Sequence, residues 1–211
     1  MSIYKGAALA AFLTLSAGFA SAAPVLSGDG TETCTLGAPL GGGACSVVAV
    51  DPHPLWHTDS NAARISYSDT GYAGSELAPP SGKTPLFSVS EEVSVIMPSS
   101  LSLFAWADDT AGVFLNGQQL TPALGLAPNF TQGTCAKGSL GCEPGEAGFF
   151  TASLAAGMHT LMFEVYQVGA GLTTTGNPFG LLYSGEIEAT SGGQSVAGGS
   201  DPNTAAVPVP P

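Results

Sequence analysis

Three observations predict an all-β protein, a jelly-roll β-sandwich. Glycine (29 residues) and proline (16 residues) are frequent, which favours turns and disfavours long helices. Eight or nine short runs with strand character are separated by loops rich in these two residues. The hydrophobic fraction of 44% is large enough to build a core. Because the loops between these strands are long, a jelly roll of two packed sheets is favoured over a closed barrel.

Residues 1–22 are predicted to be a secretory signal peptide. Lys5 supplies a positive charge, residues 6–19 are apolar but too short for an ordinary transmembrane helix, and Ala20-Ser21-Ala22 is typical of a cleavage site. The alternative is an N-terminal helix of the folded domain, but no capping or amphipathic pattern favours it. We therefore expect Sec-type export to a secreted or cell-surface location, with no membrane span in this chain.

The predicted domain covers residues 46–189. Residues 23–45 are rich in Gly, Thr and Ser and are expected to form an irregular lead-in. Asn116-Gly117 predicts a type I′ hairpin turn, because both residues tolerate a positive φ. Residues 190–211 are expected to be a disordered Gly/Ser/Pro tail, because they bury too little apolar surface to offset the entropy of ordering. The strands are predicted at 46–50, 63–67, 86–89, 93–97, 101–107, 113–115, 148–154, 158–168 and 181–187.

Export makes disulfides plausible for the four cysteines, which allow three pairings. Each neighbouring pair encloses a short Gly-rich segment, so Cys34–Cys45 and Cys135–Cys142 are the favoured pairs. A zinc site is disfavoured, because the spacings do not match those of common cysteine ligands.

The composition excludes some partners. Sixteen acidic residues against four basic ones give a net charge of −12. Nucleic acid is excluded as a partner, since binding it requires Lys and Arg to neutralise phosphates. Anionic lipid surfaces are disfavoured for the same reason. A divalent cation, a cationic ligand or a neutral sugar remains compatible.

The adjacent carboxylates Asp108 and Asp109 are the main candidate site. Calcium takes six to eight oxygen ligands, and this pair could supply part of that shell together with the Asn116 amide and a loop around Asn177. The alternative is that both aspartates only hold a turn through hydrogen bonds to the backbone. Tyr72, in a Gly-rich loop, is the aromatic residue expected to be exposed for stacking on a ligand.

Catalysis has little support in the sequence. There is no Gly-x-Ser-x-Gly or His-Glu-x-x-His motif, and Glu91 and Glu92 point to opposite faces if they lie in a strand. His53 and His57 are separated by prolines that prevent a helix from aligning them, which disfavours a metal site there. We therefore expect a protein that is not an enzyme.

The order of the segments HPLW, ARISY, FAWADDTAGVFLNGQQL, LAAGMHTLMFEVYQVG and TGNPFGLLYSGEI resembles that of small secreted bacterial galactose-binding-like jelly-roll domains. The block from Ala107 to Gly117 is also similar to protective-antigen-type lectins. That resemblance implies a calcium ion held by Asp108 and Asp109 that in turn holds sugar hydroxyls.

The C-terminal VPVPP resembles the start of a PEP-CTERM sorting signal of the VPLPA-like variant, without the apolar span that follows it in that class. This resemblance implies an exosortase-type processing enzyme as a partner if the gene continues past Pro211. The leading hypothesis is a non-enzymatic surface or matrix protein of adhesion or structural type. The alternative is a calcium-dependent carbohydrate-binding module whose partner is an extracellular polysaccharide.

Overall fold

Alternating apolar residues build two antiparallel sheets that pack face to face as a jelly-roll β-sandwich. The computed structural model describes residues 22–130 and 140–190. The predicted fold class is confirmed. Thirteen strands lie in these residues: β1 (Ala23–Leu26), β2 (Thr33–Leu36), β3 (Gly43–Cys45), β4 (Val48–Ala49), β5 (Ile65–Ser66), β6 (Phe87–Val95), β7 (Ser99–Asp108), β8 (Thr110–Leu115), β9 (Gln118–Gln119), β10 (Leu124–Gly125), β11 (Gly148–Leu154), β12 (Gly157–Tyr166) and β13 (Gly180–Ala189).

The strands are distributed over a seven-stranded and a six-stranded sheet. The first has the order β10-β11-β7-β13-β5-β4, with β1 also paired to β13, and the second has the order β3-β2-β6-β12-β8-β9. A single 3-10 turn, Ala38–Leu40, is the helical element of the described residues. None of their helical structure has the length and apolarity that crossing a bilayer requires.

The core lies between the two sheets and follows the period of two. On β12, Leu161, Phe163 and Val165 are fully buried, as the alternation in the sequence predicts. The ring of Phe163 stacks on that of Tyr183 from the opposite sheet, with centroids 4.1 Å apart. Inward and outward residues therefore alternate along β12 from Leu161 to Val165, whereas the last four residues of β7 are all buried.

The lead-in differs from the expectation. Residues 23–45 were expected to be irregular but contain β1, β2 and β3, which pair with β13, β6 and each other. These strands are only three or four residues long. The Gly- and Thr-rich composition of the segment gives them no recognisable strand pattern in the sequence. Pairing with long strands elsewhere in the chain makes them part of the sandwich.

The strand limits also differ at several positions, including the two runs before β7 and the connection after it. The runs 86–89 and 93–97 form one strand, β6, because Glu91 is accommodated within it as a buried residue. Residues 108–112, which separate two of the predicted strands, contain a single residue outside a strand, Asp109, since Asp108 ends β7 and Thr110 begins β8. The Asn116-Gly117 turn is confirmed: both residues have positive φ, 51° and 77°, and connect β8 to β9.

The Cys34–Cys45 disulfide is confirmed and links β2 to β3 at the edge of the six-stranded sheet. The second predicted pair includes Cys135, which lies outside the described residues. So do residues 1–21 of the predicted signal peptide and residues 191–211 of the predicted tail.

Candidate functional site

Asp108 and Asp109 lie where the chain crosses from one sheet to the other. Asp108 is the last residue of β7 in the seven-stranded sheet, and Thr110 is the first residue of β8 in the six-stranded sheet. The peptide bond between the two aspartates is cis. The crossing places both carboxyl groups at one end of the sandwich.

The two oxygens of the Asp109 side chain differ, because only one of them has a hydrogen-bond partner. The residue is 1% exposed. Its Oδ2 atom accepts hydrogen bonds from the backbone N–H groups of Val168 and Gly169, each at 2.7 Å. Its Oδ1 atom is buried without a hydrogen-bond partner. An unpartnered buried carboxylate oxygen is costly, so it marks a place where a ligand or ion could be accommodated.

Asp108 is 6% exposed and lies against the same cavity. Burial raises the pKa of Asp108 well above its usual range, and the neighbouring charge of Asp109 raises it further. The charge of Arg64 and a hydrogen bond from Trp56 act in the opposite direction. Burial also raises the pKa of Asp109, against the lowering effect of the hydrogen bonds from the N–H groups of Gly169 and Val168 and of the neighbouring Asp108 side chain. Two negative charges are therefore unfavourable here unless a cation compensates them.

Arg64 is a buried cation whose charge acts on Asp108, but its hydrogen-bond donors are directed elsewhere. Its Nη1 and Nη2 atoms donate to the carbonyl oxygens of Gly180 and His57, each at 3.3 Å. Its guanidinium lies 4.2 Å from the ring centroid of Trp56, a cation–π contact. Arg64 thus supports the loop that carries Trp56 rather than neutralising Asp108 directly.

A cavity of about 190 Å³ opens above the pair. The loop after β4, the β7–β8 crossing, the segment before β11 and the loop before β13 form its walls. Asn177 enters from the last of these loops, and its Nδ2 atom is buried without a hydrogen-bond partner. The residues that line the cavity are His53, Leu55, Trp56, Asp108, Asp109, Cys142, Glu143, Gly176, Asn177 and Pro178.

The residues predicted from the sequence are only partly brought together. Asn177 shares the cavity with Asp108 and Asp109. Tyr72 is not among the residues that line the cavity; it is half-buried and contacts His53 edge-on, with ring centroids 5.0 Å apart. Tyr72 is therefore less exposed than expected.

Asn116 does not join this group, which corrects the predicted ligand set. It follows β8, whose six residues separate it from Asp109 by about 20 Å. Its amide instead contacts Nδ1 of His159 and accepts a hydrogen bond from the backbone N–H of Thr160. The turn chemistry that makes Asn116 suitable for a hairpin places it at the wrong end of the strand for this site.

The histidines do not converge either. Nδ1 of His53 accepts a hydrogen bond from the backbone of Leu55, while His57 stacks on Trp106 at 4.1 Å. Across residues 22–130 and 140–190, no group of three or more His, Cys, Asp or Glu side chains is arranged to hold a metal ion. Any ion at the aspartate pair must therefore draw on amide, carbonyl or ligand oxygens.

Sequence reasoning missed Arg64 as part of this end of the molecule. It is the chain's single arginine, and it stands within the apolar segment Ala62–Tyr67. A lone arginine in a strand-like segment is a usable signal of a buried, functionally engaged charge.

Comparisons with known proteins assign no family. No protein-family model matches the sequence, and no curated protein matches it significantly. The structure is similar to a family 35 carbohydrate binding module from Clostridium thermocellum, with 9% identity and a TM-score of 0.39 over 80% of this chain and 99% of that chain. It is also similar to a CBM35 from Paenibacillus barcinonensis, with 12% identity and a TM-score of 0.34 over 80% and 99%. A Beta-glucosidase from Kluyveromyces marxianus matches at 10% identity and a TM-score of 0.30, over 49% of this chain and 11% of that chain. Function is therefore argued from the site.

Proposed function

We propose that this protein is an exported, non-enzymatic carbohydrate-binding module that holds calcium at Asp108 and Asp109. The observation that carries the proposal is the buried, unpartnered Oδ1 atom of Asp109 beside a second buried carboxyl group in an open cavity. Carboxylate oxygens are the preferred ligands of calcium, and a bound dication removes the cost of two adjacent buried negative charges.

The protein supplies only part of a calcium shell at this site. Two carboxylates offer at most about four of the six to eight oxygens that calcium takes, and the Asn177 side-chain oxygen could add one more. Asp108, Asp109 and Asn177 all line the cavity, so sugar hydroxyls that enter it would complete the shell. The cavity of about 190 Å³ is the volume of about six water molecules, similar to one sugar ring.

The walls of the cavity suit the apolar face of a sugar. Leu55 is exposed at the rim, and Trp56 and His53 line the wall beside it. Aromatic and aliphatic groups pack against the C–H face of a sugar ring while polar groups bind its hydroxyls. Such a mixture is expected for a ligand with both kinds of surface.

The geometry of the carboxyl pair supports binding rather than glycoside hydrolysis. The two carboxyl groups belong to consecutive residues and are close enough for each to shift the pKa of the other. Hydrolytic pairs are separated by about 5 Å or more, so that a sugar or a water molecule fits between them. The confirmed Cys34–Cys45 disulfide agrees with an exported protein, since disulfides persist in oxidising compartments.

A structural or adhesive surface protein is the second candidate. It is favoured by the two hydrogen bonds from Val168 and Gly169 to Asp109, which tie the crossing to the loop after β12 without any ion. In that case the aspartates only stabilise the end of the sandwich.

Calcium titration of the protein lacking residues 1–22, followed by calorimetry and thermal melting, separates the two. We expect calcium to bind and to raise the melting temperature, because a ligand of the native state stabilises it. Asp109→Asn keeps an oxygen for Val168 and Gly169 but removes a charge, and should weaken calcium binding at least about tenfold.

Glu188→Gln is the matched control, since it removes one exposed negative charge at the far end of β13 and should leave calcium binding unchanged. A melting temperature that does not respond to calcium would support the structural role instead. Glycan-array binding that requires calcium and is lost in Asp109→Asn is the corresponding test of carbohydrate recognition at this site.

A further inference from the structure

The outer face of the seven-stranded sheet carries a continuous row of side chains across five strands. Cross-strand pairing places Leu26 opposite Ser184, Ser184 opposite Phe104, Phe104 opposite Phe149, and Phe149 opposite Leu124. Four strand-to-strand steps of about 4.8 Å make the row about 19 Å long. We call it the aromatic row, and its members are Leu26, Ser184, Phe104, Phe149 and Leu124.

This row faces away from the core. Leu103 and Ala105, on either side of Phe104 in β7, are fully buried, whereas Phe104 is 43% exposed. Leu124 at the end of the row is 71% exposed. The rings of Phe104 and Phe149 lie 4.6 Å apart and are inclined by 35°, so they form a shared aromatic surface.

Grooves flank this aromatic surface on both sides. One, of about 500 Å³, combines apolar residues with polar ones: Ser102, Ser184 and Glu186 come from the sheet, and Asp59 and Asn61 come from the loop after β4. The other, of about 300 Å³, is mainly apolar and lies between Phe104, Leu124, Pro144 and Phe149.

We propose that this face binds a strand of neutral polysaccharide, independently of calcium. The rings of Phe104 and Phe149 pack against sugar C–H faces, and Ser102, Asn61 and Glu186 bind hydroxyl groups. Uncharged chains are selected because Asp59 and Glu186 repel polyanions, while the described residues that line both grooves include no Lys or Arg.

The aromatic row would be a second carbohydrate-binding surface of this protein. Its assignment rests on the proposed function only for the class of ligand. The two places differ in size, since the cavity at Asp108 has a volume of about 190 Å³, whereas the aromatic row is about 19 Å long and is flanked by grooves of about 500 and 300 Å³. Trp106, covered by His57, separates Phe104 from Asp108 along β7. The row should therefore bind the middle of a chain rather than a single sugar.

Affinity electrophoresis in chelator tests the proposal. The protein lacking residues 1–22 is run in native gels that contain hydroxyethylcellulose, xyloglucan, galactomannan or xylan, with polygalacturonate as the anionic comparison. We expect retardation by at least one neutral polymer and none by polygalacturonate. Phe104→Ala and Phe149→Ala should each raise the dissociation constant at least about tenfold, as for a central aromatic contact.

Ile96→Ala is the matched control, because it truncates an 89% exposed apolar residue in the turn between β6 and β7, and it should not change retardation. Asp109→Asn should not change it either, so loss of calcium binding and loss of this surface give different results. Thermal melting verifies that each variant is folded.

Three electrophoretic outcomes overturn the proposal: no retardation by any neutral polymer, retardation of Phe104→Ala equal to that of the wild type, or retardation that requires calcium. A dimer in sedimentation analysis that Phe104→Ala dissociates would assign the face to a second copy of the chain and would also overturn it.

Discussion

Asp109 shows how one side chain can serve the fold and leave capacity for a ligand. Its Oδ2 atom accepts from two consecutive backbone N–H groups, while its Oδ1 atom has no partner. The first set of contacts joins the crossing to the loop after β12. The second oxygen is therefore available to bind an ion or a ligand. The turn-holding and ion-binding hypotheses therefore concern different atoms of the same residue.

Glu91 is another buried acid, and it lies on a different strand from the aspartate pair. It lies in β6 and accepts a hydrogen bond of 3.0 Å from the Tyr183 hydroxyl. Burial raises the pKa of Glu91 to about 7, the Tyr183 hydrogen bond opposes this, and the charges of Asp29 and Glu32 add to it. Its exposed neighbour Glu92 points to the other face, as the strand alternation predicts.

Stability should therefore fall as pH rises from about 4.5 to about 7. In this window the folded protein binds more protons than the unfolded chain, whose glutamate has the ordinary pKa of 4.5. Above pH 7 both states are ionised and the folded state retains the cost of a buried charge. Glu91→Gln should remove this dependence and raise the free energy of unfolding at pH 8 by about 1–3 kcal/mol.

Denaturant unfolding at pH 4.5, 6 and 8 measures this effect, with Glu92→Gln as the control that should keep the wild-type profile. If Glu91→Gln destabilises the protein equally at all three pH values, Glu91 acts only through its hydrogen bond.

At the scale of elements, the conformation of the β8–β9 hairpin is determined by the φ preferences of its own turn residues. Asn116 and Gly117 both adopt positive φ, which a two-residue type I′ turn requires. The same turn places Asn116 away from the aspartate pair, so the residue has a conformational role. The β7–β8 connection is different, because a single residue, Asp109, separates strands of two sheets.

Gly117→Ala should lower the free energy of unfolding by about 1–2 kcal/mol. No atom lies within 4 Å of a Cβ at this position, so the cost comes from the φ of 77° rather than from a collision. Gly145→Ala is the control, because its Cβ also meets no atom and its φ is not in the left-handed region. Thermal or denaturant unfolding of the two variants compares them directly, and equal stabilities would contradict the turn argument.

At the scale of the whole molecule, the N-terminal strands close the sandwich. β1 joins the seven-stranded sheet through β13, while β2 and β3 join the six-stranded sheet through β6. The Cys34–Cys45 disulfide fixes β3, a strand of three residues, against β2. A short edge strand of this kind has few other contacts to hold it.

Replacing Cys34 and Cys45 together by serine should lower the free energy of unfolding by about 2–3 kcal/mol. The bond closes a loop with a sequence separation of 11, and its loss increases the entropy of the unfolded chain by about this amount. Denaturant unfolding under oxidising conditions, with the other cysteines unchanged, measures the difference. A variant as stable as the wild type would show that β2 and β3 hold their positions without the bond.

Local chemistry in the sequence was enough to predict several features of this protein. The Asn116-Gly117 turn depends on the φ preferences of two residues, and the buried face of β12 depends on alternation within one strand. The Cys34–Cys45 pair closes a short loop, which makes it the favoured partner choice. The all-β sandwich follows from many such short-range signals together, because each is determined within a few residues of chain.

Tertiary structure alone decided the composition of both candidate sites. Asp108 lines the same cavity as Trp56 and Asn177, and Phe104 is paired with Ser184 and Phe149 on the neighbouring strands. Both groups bring together residues that are far apart in the chain. Such contacts depend on strand register, and a shift of one residue would exchange the buried and exposed faces. The sequence thus determined that two adjacent aspartates end a strand, whereas packing between distant strands decided that they are buried, incompletely paired and open to a cavity.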